Sequence, residues 1–340
     1  MINGVINIYK EAGFTSHDVV AKLRGLVKQK KIGHTGTLDP AAEGVLPVCL
    51  GNATKLCDLI TDWDKTYEAV LLLGRSTDTQ DTTGETLLER PVEADEETVR
   101  TVIASFEGDY DQVPPMYSAL KVDGKKLYEL ARAGKEVERK ARPVYISKLE
   151  ILSVDLPRVR MRVTCSKGTY IRTLCHDIGE KLGCGGCMEH LLRARVGHFP
   201  VEVALRLSEI QELADTVIRE LHLTAEELGA DERGRVRLTP AQMESYQETM
   251  KARLGETLVA VEDIFPRYEK IATTTEGDKL LYNGNPLYKD QVEWPEEKSN
   301  PKDGDAFRVY DSGKQFLGVY GYVAKERRLR PIKMFLEKES

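Results

Sequence analysis

"GHTGTLDPAAEGVLPVCLGNATKL", residues 33–56, is the stretch on which the reading of the chain turns. In its first eight residues, 33–40, a single carboxylate, Asp39, stands after two glycines and just before a proline. Pro40 pushes the backbone of Asp39 toward an extended conformation. Gly33 and Gly36 permit close approach by other backbone. "VLPVCL" then reads as a short apolar strand between glycines, and "NATKL" as the start of a helix. Such a loop holds a carboxylate at the rim of a cleft, where it can act as nucleophile or base. The same residues also suit an Asx-turn or a helix cap. His34 is compatible with a structural place as well as a catalytic one.

Upstream, "GVINIYKEAGFTS" reads as a strand over Val5–Tyr9, a turn at Gly13 and a cap at Thr15 or Ser16. The helix is expected to run from Ser16 to about Lys31, with Asp18 at the capping-box position. Val19, Leu23, Leu26 and Val27 form its buried face. "KQKK" places positive charge where a helix C-terminus favours it, and also where a phosphate could be met. Downstream, Thr66–Gly74 reads as a strand, "RSTDTQDTTGE" as a polar loop and 91–110 as an acidic helical segment.

"VRMRVTCSKGTYIRTLCHDIGEKLG", residues 159–183, is the second informative stretch. Val159, Met161, Val163 and Cys165 alternate with Arg158, Arg160, Arg162 and Thr164, giving a half-buried strand with an arginine face. Beyond Gly168, the residues Ile171, Leu174, Cys175, Ile178 and Leu182 fall on one helical stripe, with Arg172 beside it. Residues 208–253 look helical and polar. From Phe265 onward short strands and turns take over. "GDAFRVYDSGKQFLGVYGYV" reads as a hairpin, and "WPEEKSNPKDG" (294–304) as a solvated loop.

The bulk numbers bound the class. A chain of 340 residues suits two or three domains, and 41% hydrophobic with 31% charged residues is ordinary for a globular protein. No apolar run approaches the ~18 residues of a membrane span. The N-terminal stretch lacks the charged and apolar regions of a signal peptide, so a cytoplasmic protein is expected. Six cysteines make no disulfide framework. Cys184 and Cys187, with His176 and His190 nearby, admit a zinc reading. The "GCGGC" run equally suits a helix C-terminus, and with no second CxxC no metal is expected. Net charge is −6, unevenly spread. Residues 1–56 carry seven Lys/Arg against four Asp/Glu, 57–120 four against fifteen, and 121–200 seventeen against nine. A face built from the two basic segments could follow a phosphate backbone; solvated surface lysines would give the same count.

Taken together, the motifs resemble the TruB family of tRNA pseudouridine synthases. The 33–56 stretch resembles the family's catalytic signature. "KTYEAVLLLGRSTDTQDTTGE", "VPPMYSALKVDGKKLYELARAG", "CSKGTYIRTLCHDIGEKLG" and "LLRARVGHF" resemble later blocks in the same order. "LLYNGNPL" and the hairpin resemble the family's PUA-like C-terminal domain. There are departures: Glu11 replaces the usual proline of the first motif, Glu43 replaces a frequent threonine, and 208–253 looks like an insertion.

The resemblance implies an α+β fold. Its catalytic domain over 1–265 would have a mixed, mainly antiparallel sheet flanked by helices. A small PUA-like RNA-binding β-barrel would follow over 266–340. It implies isomerisation of uridine to pseudouridine at position 55 in the T-loop of tRNA, by base eversion, with assistance to tRNA folding compatible with that role. Asp39 would be the essential aspartate, Arg172 its partner and Tyr67 the active-site tyrosine. Leu191 would line the uracil pocket, and His34 would fill the space left by the everted base. Lys10, Thr35, Gly36, Tyr170 and Lys121 are the remaining candidates for substrate or RNA contact. Lys28, Lys30, Lys31 and the 158–162 arginines are phosphate candidates on charge alone. No cofactor, membrane or protein partner is implied beyond the T-stem-loop of tRNA, and a monomer suffices.

Overall fold

The computed structural model describes residues 1–118, 120–122, 124–135, 137–228, 237–295 and 300–336, with Lys121 and Ala225 described by their backbone alone. Among these, ten strands form one large sheet: β1 (Gly4–Lys10), β2 (Ile32–His34), β3 (Glu43–Leu50), β4 (Lys65–Leu73), β5 (Gly108–Gln112), β6 (Arg142–Asp155), β7 (Arg158–Cys165), β8 (Gly186–Val196), β9 (Phe199–Pro200) and β10 (Leu258–Val259). The order is β10-β1-β3-β8-β4-β7-β6-β5, with β2 paired to β3 and β9 to β8. Only β3–β8 is parallel; the other pairs are antiparallel. The sheet is thus mixed and mainly antiparallel.

Helices flank it for reasons written in their sequences. Helix α1 (Ser16–Leu26) starts at Thr15, whose hydroxyl and the Asp18 carboxylate complete a reciprocal capping box. It ends five residues before the Lys31 terminus expected from sequence. Lys28 takes a left-handed φ of 52°. The Gln29 amide then bonds both the N–H and the carbonyl of Ile2, at 2.9 and 3.0 Å. The chain must reverse there so that β2 can pair with β3, and that pairing outweighs further helix. Val19, Val20, Leu23 and Val27 pack into a core with Ile6 and Ile8 of β1 and Leu46, Val48 and Leu50 of β3.

Helices α2 (Glu96–Ala104) and α3 (Ile171–Lys181) pack on the sheet through Val99, Ile103, Leu174, Cys175 and Ile178. Helix α3 approaches β8 so closely that a Cβ at Gly179 would lie 2.1 Å from the backbone nitrogen of Gly186. In the acidic 91–110 segment the helix is confined to α2, and β5 begins at Gly108. Residues 208–253 are helical as expected in α4 (Leu207–Glu220), Ala225–Leu228 and α5 (Pro240–Leu254); 229–236 lie outside the described residues. The polar look of that segment conceals a buried edge: Ile210, Ala214, Val217, Tyr246, Met250 and Leu254 form one core with α1 and β1.

Residues 269–334 build a second, six-stranded sheet with a barrel-like PUA character. The expected hairpin is Ala306–Tyr310 against Phe316–Val323, turning through Asp311–Gln315 with Lys314 at a φ of 66°. Phe335 and Val319 join Val45, Cys49, Leu56 and Ile60 in a shared apolar cluster, so the two sheets are packed against each other. The 294–304 loop is only partly described, 296–299 lying outside the described residues. No described helix is long and apolar enough to cross a membrane.

Candidate active site

The loop between β2 and β3 carries Asp39 and is held from several sides. Thr35 is buried, and its N–H and hydroxyl both donate to the Pro47 carbonyl, at 3.1 and 3.2 Å. The Leu38 N–H donates to Ser16 Oγ at 3.0 Å, which ties the loop to the first turn of α1. Gly13 N–H donates to the Pro40 carbonyl at 2.9 Å. Lys10 completes the cradle. Its Nζ donates to the carbonyls of Glu11, Pro40 and Ala42 at 3.1, 3.2 and 2.6 Å.

The family resemblance makes Lys10 a candidate for substrate or RNA contact. It is instead fully buried under the Asp39 loop. Buried carbonyls need donors, and three of them converge there. Burial lowers its ammonium to about 8, against the opposing pull of Asp39 and Glu43.

Asp39 points outward. Arg172 Nε lies 3.2 Å from Asp39 Oδ2. The rest of the guanidinium is equally engaged. Nη1 donates to the Thr79 carbonyl at 3.1 Å and lies 3.5 Å from Asp81 Oδ2; Nη2 donates to the Tyr117 carbonyl at 2.9 Å. Arg172 stands beside the apolar stripe of α3, and it is buried nonetheless, because the loops at 79–81 and 117 cover it. Asp81 is anchored in turn, its Oδ1 accepting from Thr79 Oγ1, Thr83 N and Thr83 Oγ1 at 2.8, 3.0 and 2.5 Å. Thr173, next to Arg172, donates its hydroxyl to Gln80 Oε1 at 2.7 Å. The "TDTQDTTG" loop is therefore part of the arginine's seat.

Tyr67 sits half-buried on β4, directly opposite Arg193 of β8. Burial holds the Tyr67 phenol above its ordinary value, partly offset by the charge of the Arg193 guanidinium. Leu191 is buried in a cluster that includes Leu38, Ala42 and Tyr67, forming an apolar patch beside the carboxylate. Tyr170 is fixed by Gln112, which accepts from its N–H at 2.7 Å and donates to its carbonyl at 2.9 Å. Burial raises its hydroxyl, with Arg172 and Asp39 both within electrostatic reach. His34 packs edge-on to His17, with ring centroids 5.4 Å apart. Burial, then the His17 and Arg193 charges, lower its imidazole, which favours the neutral ring. The Gly36 carbonyl accepts from Arg193 Nη2 at 3.3 Å. Lys121 lies in a short strand paired with Lys125–Lys126, and its side chain is outside the described residues.

The 158–162 arginine face is not a free cationic strip. Arg158 makes a two-pronged pair with Glu189 at 2.8 Å, and Arg162 pairs with Glu68 at 2.6 Å. Arg160 lies 3.9 Å from Glu68. Lys31 donates to Asn52 Oδ1 at 3.0 Å. Lys10, Arg172 and Arg193 are buried around the Asp39 loop, and Lys65 is buried where its Nζ donates to the Thr61 and Trp63 carbonyls. Glu11 pairs with Arg206 at 2.7 Å and Glu43 with His190 at 3.2 Å, so both departures from the family pattern have partners of their own. Cys184 and Cys187 are buried, and among the described residues no group of three or more potential metal ligands is gathered.

Sequence reasoning did not single out Asp81 or Arg193. Arg193 had a signal: in "LLRARV" it shares the inward phase of Leu191, two residues before it. Asp81 had none, since its place depends on how the 77–84 loop folds.

The chain matches two family models: the TruB family pseudouridylate synthase N-terminal domain over residues 24–171, and the tRNA pseudouridylate synthase B C-terminal domain over 172–228. It is 50% identical to tRNA pseudouridine synthase B of Lachnoclostridium phytofermentans, over 98% of this chain and all of that one. It is 39% identical to tRNA pseudouridine synthase B of Clostridium acetobutylicum, over 94% of this chain and 95% of that one. Among solved structures, it resembles a chain of a Cbf5-Nop10-Gar1 complex with a TM-score of 0.64 and 25% identity, over 98% of this chain and 85% of that one. A chain of an H/ACA RNP bound to a substrate RNA shares the fold, with a TM-score of 0.63 and 23% identity, over 99% of this chain and 86% of that one.

Proposed function

The chain belongs to the TruB family of pseudouridylate synthases, and from that premise we propose that its substrate position is uridine 55 in the T-loop of tRNA, with Asp39 as the reacting carboxylate. The coarser activity follows from membership: it is an isomerase that forms pseudouridine from uridine in tRNA.

The observation that carries the finer reading is the Asp39–Arg172 pair, an accessible carboxylate oriented by a buried guanidinium at 3.2 Å. The reaction cuts the N-glycosidic bond, turns the uracil in place and joins its C5 to C1′. A base in a folded loop must first be everted, at a cost of a few kcal/mol of stacking. Tyr67 and Leu191 offer the everted uracil an aromatic face and an apolar wall, which limits its escape once detached. Asp39 then meets the anomeric region as nucleophile or base. His34, flat and favoured in its neutral form, is suited to stack where the base has left rather than to hold a phosphate. In this reading residues 1–265 do the chemistry in the cytoplasm as a monomer, and 266–340 add RNA contact.

The test is to incubate an unmodified tRNA transcript with the protein and map pseudouridine along it. One modified site, at position 55, is expected. Modification elsewhere in the tRNA, with 55 untouched, overturns the assignment of position.

A further inference from the structure

We propose that Gln112 is a positioning residue for the reaction: its buried side-chain amide grips the Tyr170 peptide at the start of α3 and so sets the angle at which Arg172 meets Asp39. The inference rests on the reading of Asp39 as the reacting carboxylate, oriented by Arg172.

Gln112 ends β5 at the edge of the large sheet, opposite Arg142 of β6, and is 1% exposed. Its Oε1 accepts from the Tyr170 N–H at 2.7 Å, and its Nε2 donates to the Tyr170 carbonyl at 2.9 Å. One primary amide thus closes on both polar groups of one residue, using its acceptor and its donor together. Tyr170 is where the chain passes from extended backbone, φ −97° and ψ 108°, into α3, and its own side chain does not cap the helix. The first N–H groups of a helix have no partner within it, and Gln112 takes the one at Tyr170. The Tyr170 carbonyl also receives the first bond of the helix, from the Leu174 N–H at 3.1 Å. Gln112 therefore holds the peptide on which α3 begins.

Arg172 stands two residues further on, in the first turn. The chain beyond Gln112 comes back to it, and the Tyr117 carbonyl accepts from Arg172 Nη2 at 2.9 Å. Residues 112–117 are thus tied to α3 at both ends, once at the Tyr170 peptide and once at the guanidinium. Tyr110 donates its hydroxyl to the Asp177 carboxylate, which binds the same strand to the helix beyond its first turn. Further along, α3 is pressed onto β8, where Gly179 has no room for a side chain. The first turn is then the part whose angle Gln112 decides. Side chains reach about 5–6 Å from a helix axis, so a rotation of about 20° would carry the guanidinium about 2 Å. A misplacement of about 1 Å can cost about a hundredfold in rate.

The test compares Gln112→Leu, Gln112→Glu, Arg172→Met and the Gln112→Leu/Arg172→Met double variant, each in the intact chain, on an unmodified T-stem-loop minihelix. Gln112→Leu should lower kcat about thirtyfold with KM changed less than about threefold. In the Arg172→Met background the same change should cost under about threefold, because the arginine through which it acts is gone. Gln112→Glu adds a readout that a general loss of packing would not give. A protonated carboxyl presents a donor and an acceptor, as the amide does; a carboxylate only accepts, and leaves the Tyr170 carbonyl without its donor. Burial raises the pH at which such a carboxyl ionises. The rate of Gln112→Glu relative to wild type should therefore climb at least about fivefold as the pH falls from about 8.5 to about 5.5. The charged and titratable groups near it, Tyr110, Asp177, Tyr170, Arg142, Arg172 and Asp39, are common to both proteins, so the ratio isolates position 112. If Gln112→Leu does not fold, that ratio carries the test. An equal rate loss with and without Arg172, or a ratio that stays flat with pH, overturns the proposal. Wild-type turnover by Arg172→Met would instead remove the reading of Asp39 and Arg172 beneath it.

Discussion

Arg172 Nε lies 3.2 Å from Asp39 Oδ2, and the two side chains differ sharply in exposure: 7% for the arginine and 45% for the carboxylate. The asymmetry has a chemical use. The arginine is fixed by the Thr79 and Tyr117 carbonyls and by Asp81, none of which need move when RNA binds. Asp39 is thus oriented from beneath while its outer side remains exposed. An ion pair with both partners exposed would hold the carboxylate only weakly.

Arg172→Met should lower turnover by about a hundredfold or more, because the carboxylate loses its orientation. It should also cost about 3–5 kcal/mol of stability, since Asp81 and two carbonyls lose their donor in a largely buried setting. Arg172→Lys keeps the charge but not the planar fork, and should fall between the two. Chemical denaturation alongside single-turnover assays checks both parts.

Turnover is expected to be sensitive to alkali through Lys10. Its ammonium is lowered to about 8, and Asp39, Glu43, Asp18 and Arg193 are the charges around it. Raising the pH through 8 removes a proton from the folded protein first. The unfolded chain then binds more protons between about 8 and the ordinary lysine value, so this group's contribution to stability rises with pH in that window. The clamp itself weakens, because an amine has one donor fewer for three carbonyls. Turnover should therefore fall above about pH 8 without any loss of fold attributable to this group. Lys10→Arg should move that limb upward in a pH–rate profile.

Gly44 tests the backbone that follows the loop. It adopts a φ of +106°, and an added Cβ would lie 2.3 Å from the Arg193 carbonyl oxygen. Gly44→Ala should cost about 3 kcal/mol or more through strain and overlap together. A thermal midpoint close to that of wild type would contradict this account of the β3–β8 contact.

Much of this arrangement was legible in the sequence. The capping box at Thr15 and Asp18, the alternation of β7, the apolar stripe of α3 and the Asp311–Gln315 turn are all local patterns. Local patterns survive folding. What was not legible depended on tertiary closure. The basic run at 28–31 read as a helix end, but pairing of β2 with β3 stopped α1 sooner. Lys10 read as an RNA contact because it lies in a motif of the family; three convergent carbonyls hold it inside. The arginines of β7 read as one face, and Glu68 and Glu189 from neighbouring strands meet them there. Asp81 became part of the Arg172 seat only once the 77–84 loop had closed over α3.

The central claim is that Asp39 supplies the chemistry and not the fold. Asparagine is nearly isosteric, and Arg172 keeps Asp81 and its two carbonyls whatever stands at position 39. The most direct measurement is pseudouridine formation by Asp39→Asn on a T-stem-loop minihelix, with minihelix binding and thermal midpoint measured on the same preparation. The account predicts a fall in turnover of at least about a thousandfold, with binding retained and the midpoint within about 3 °C of wild type. Turnover near the wild-type rate, or loss of binding together with loss of fold, would contradict it.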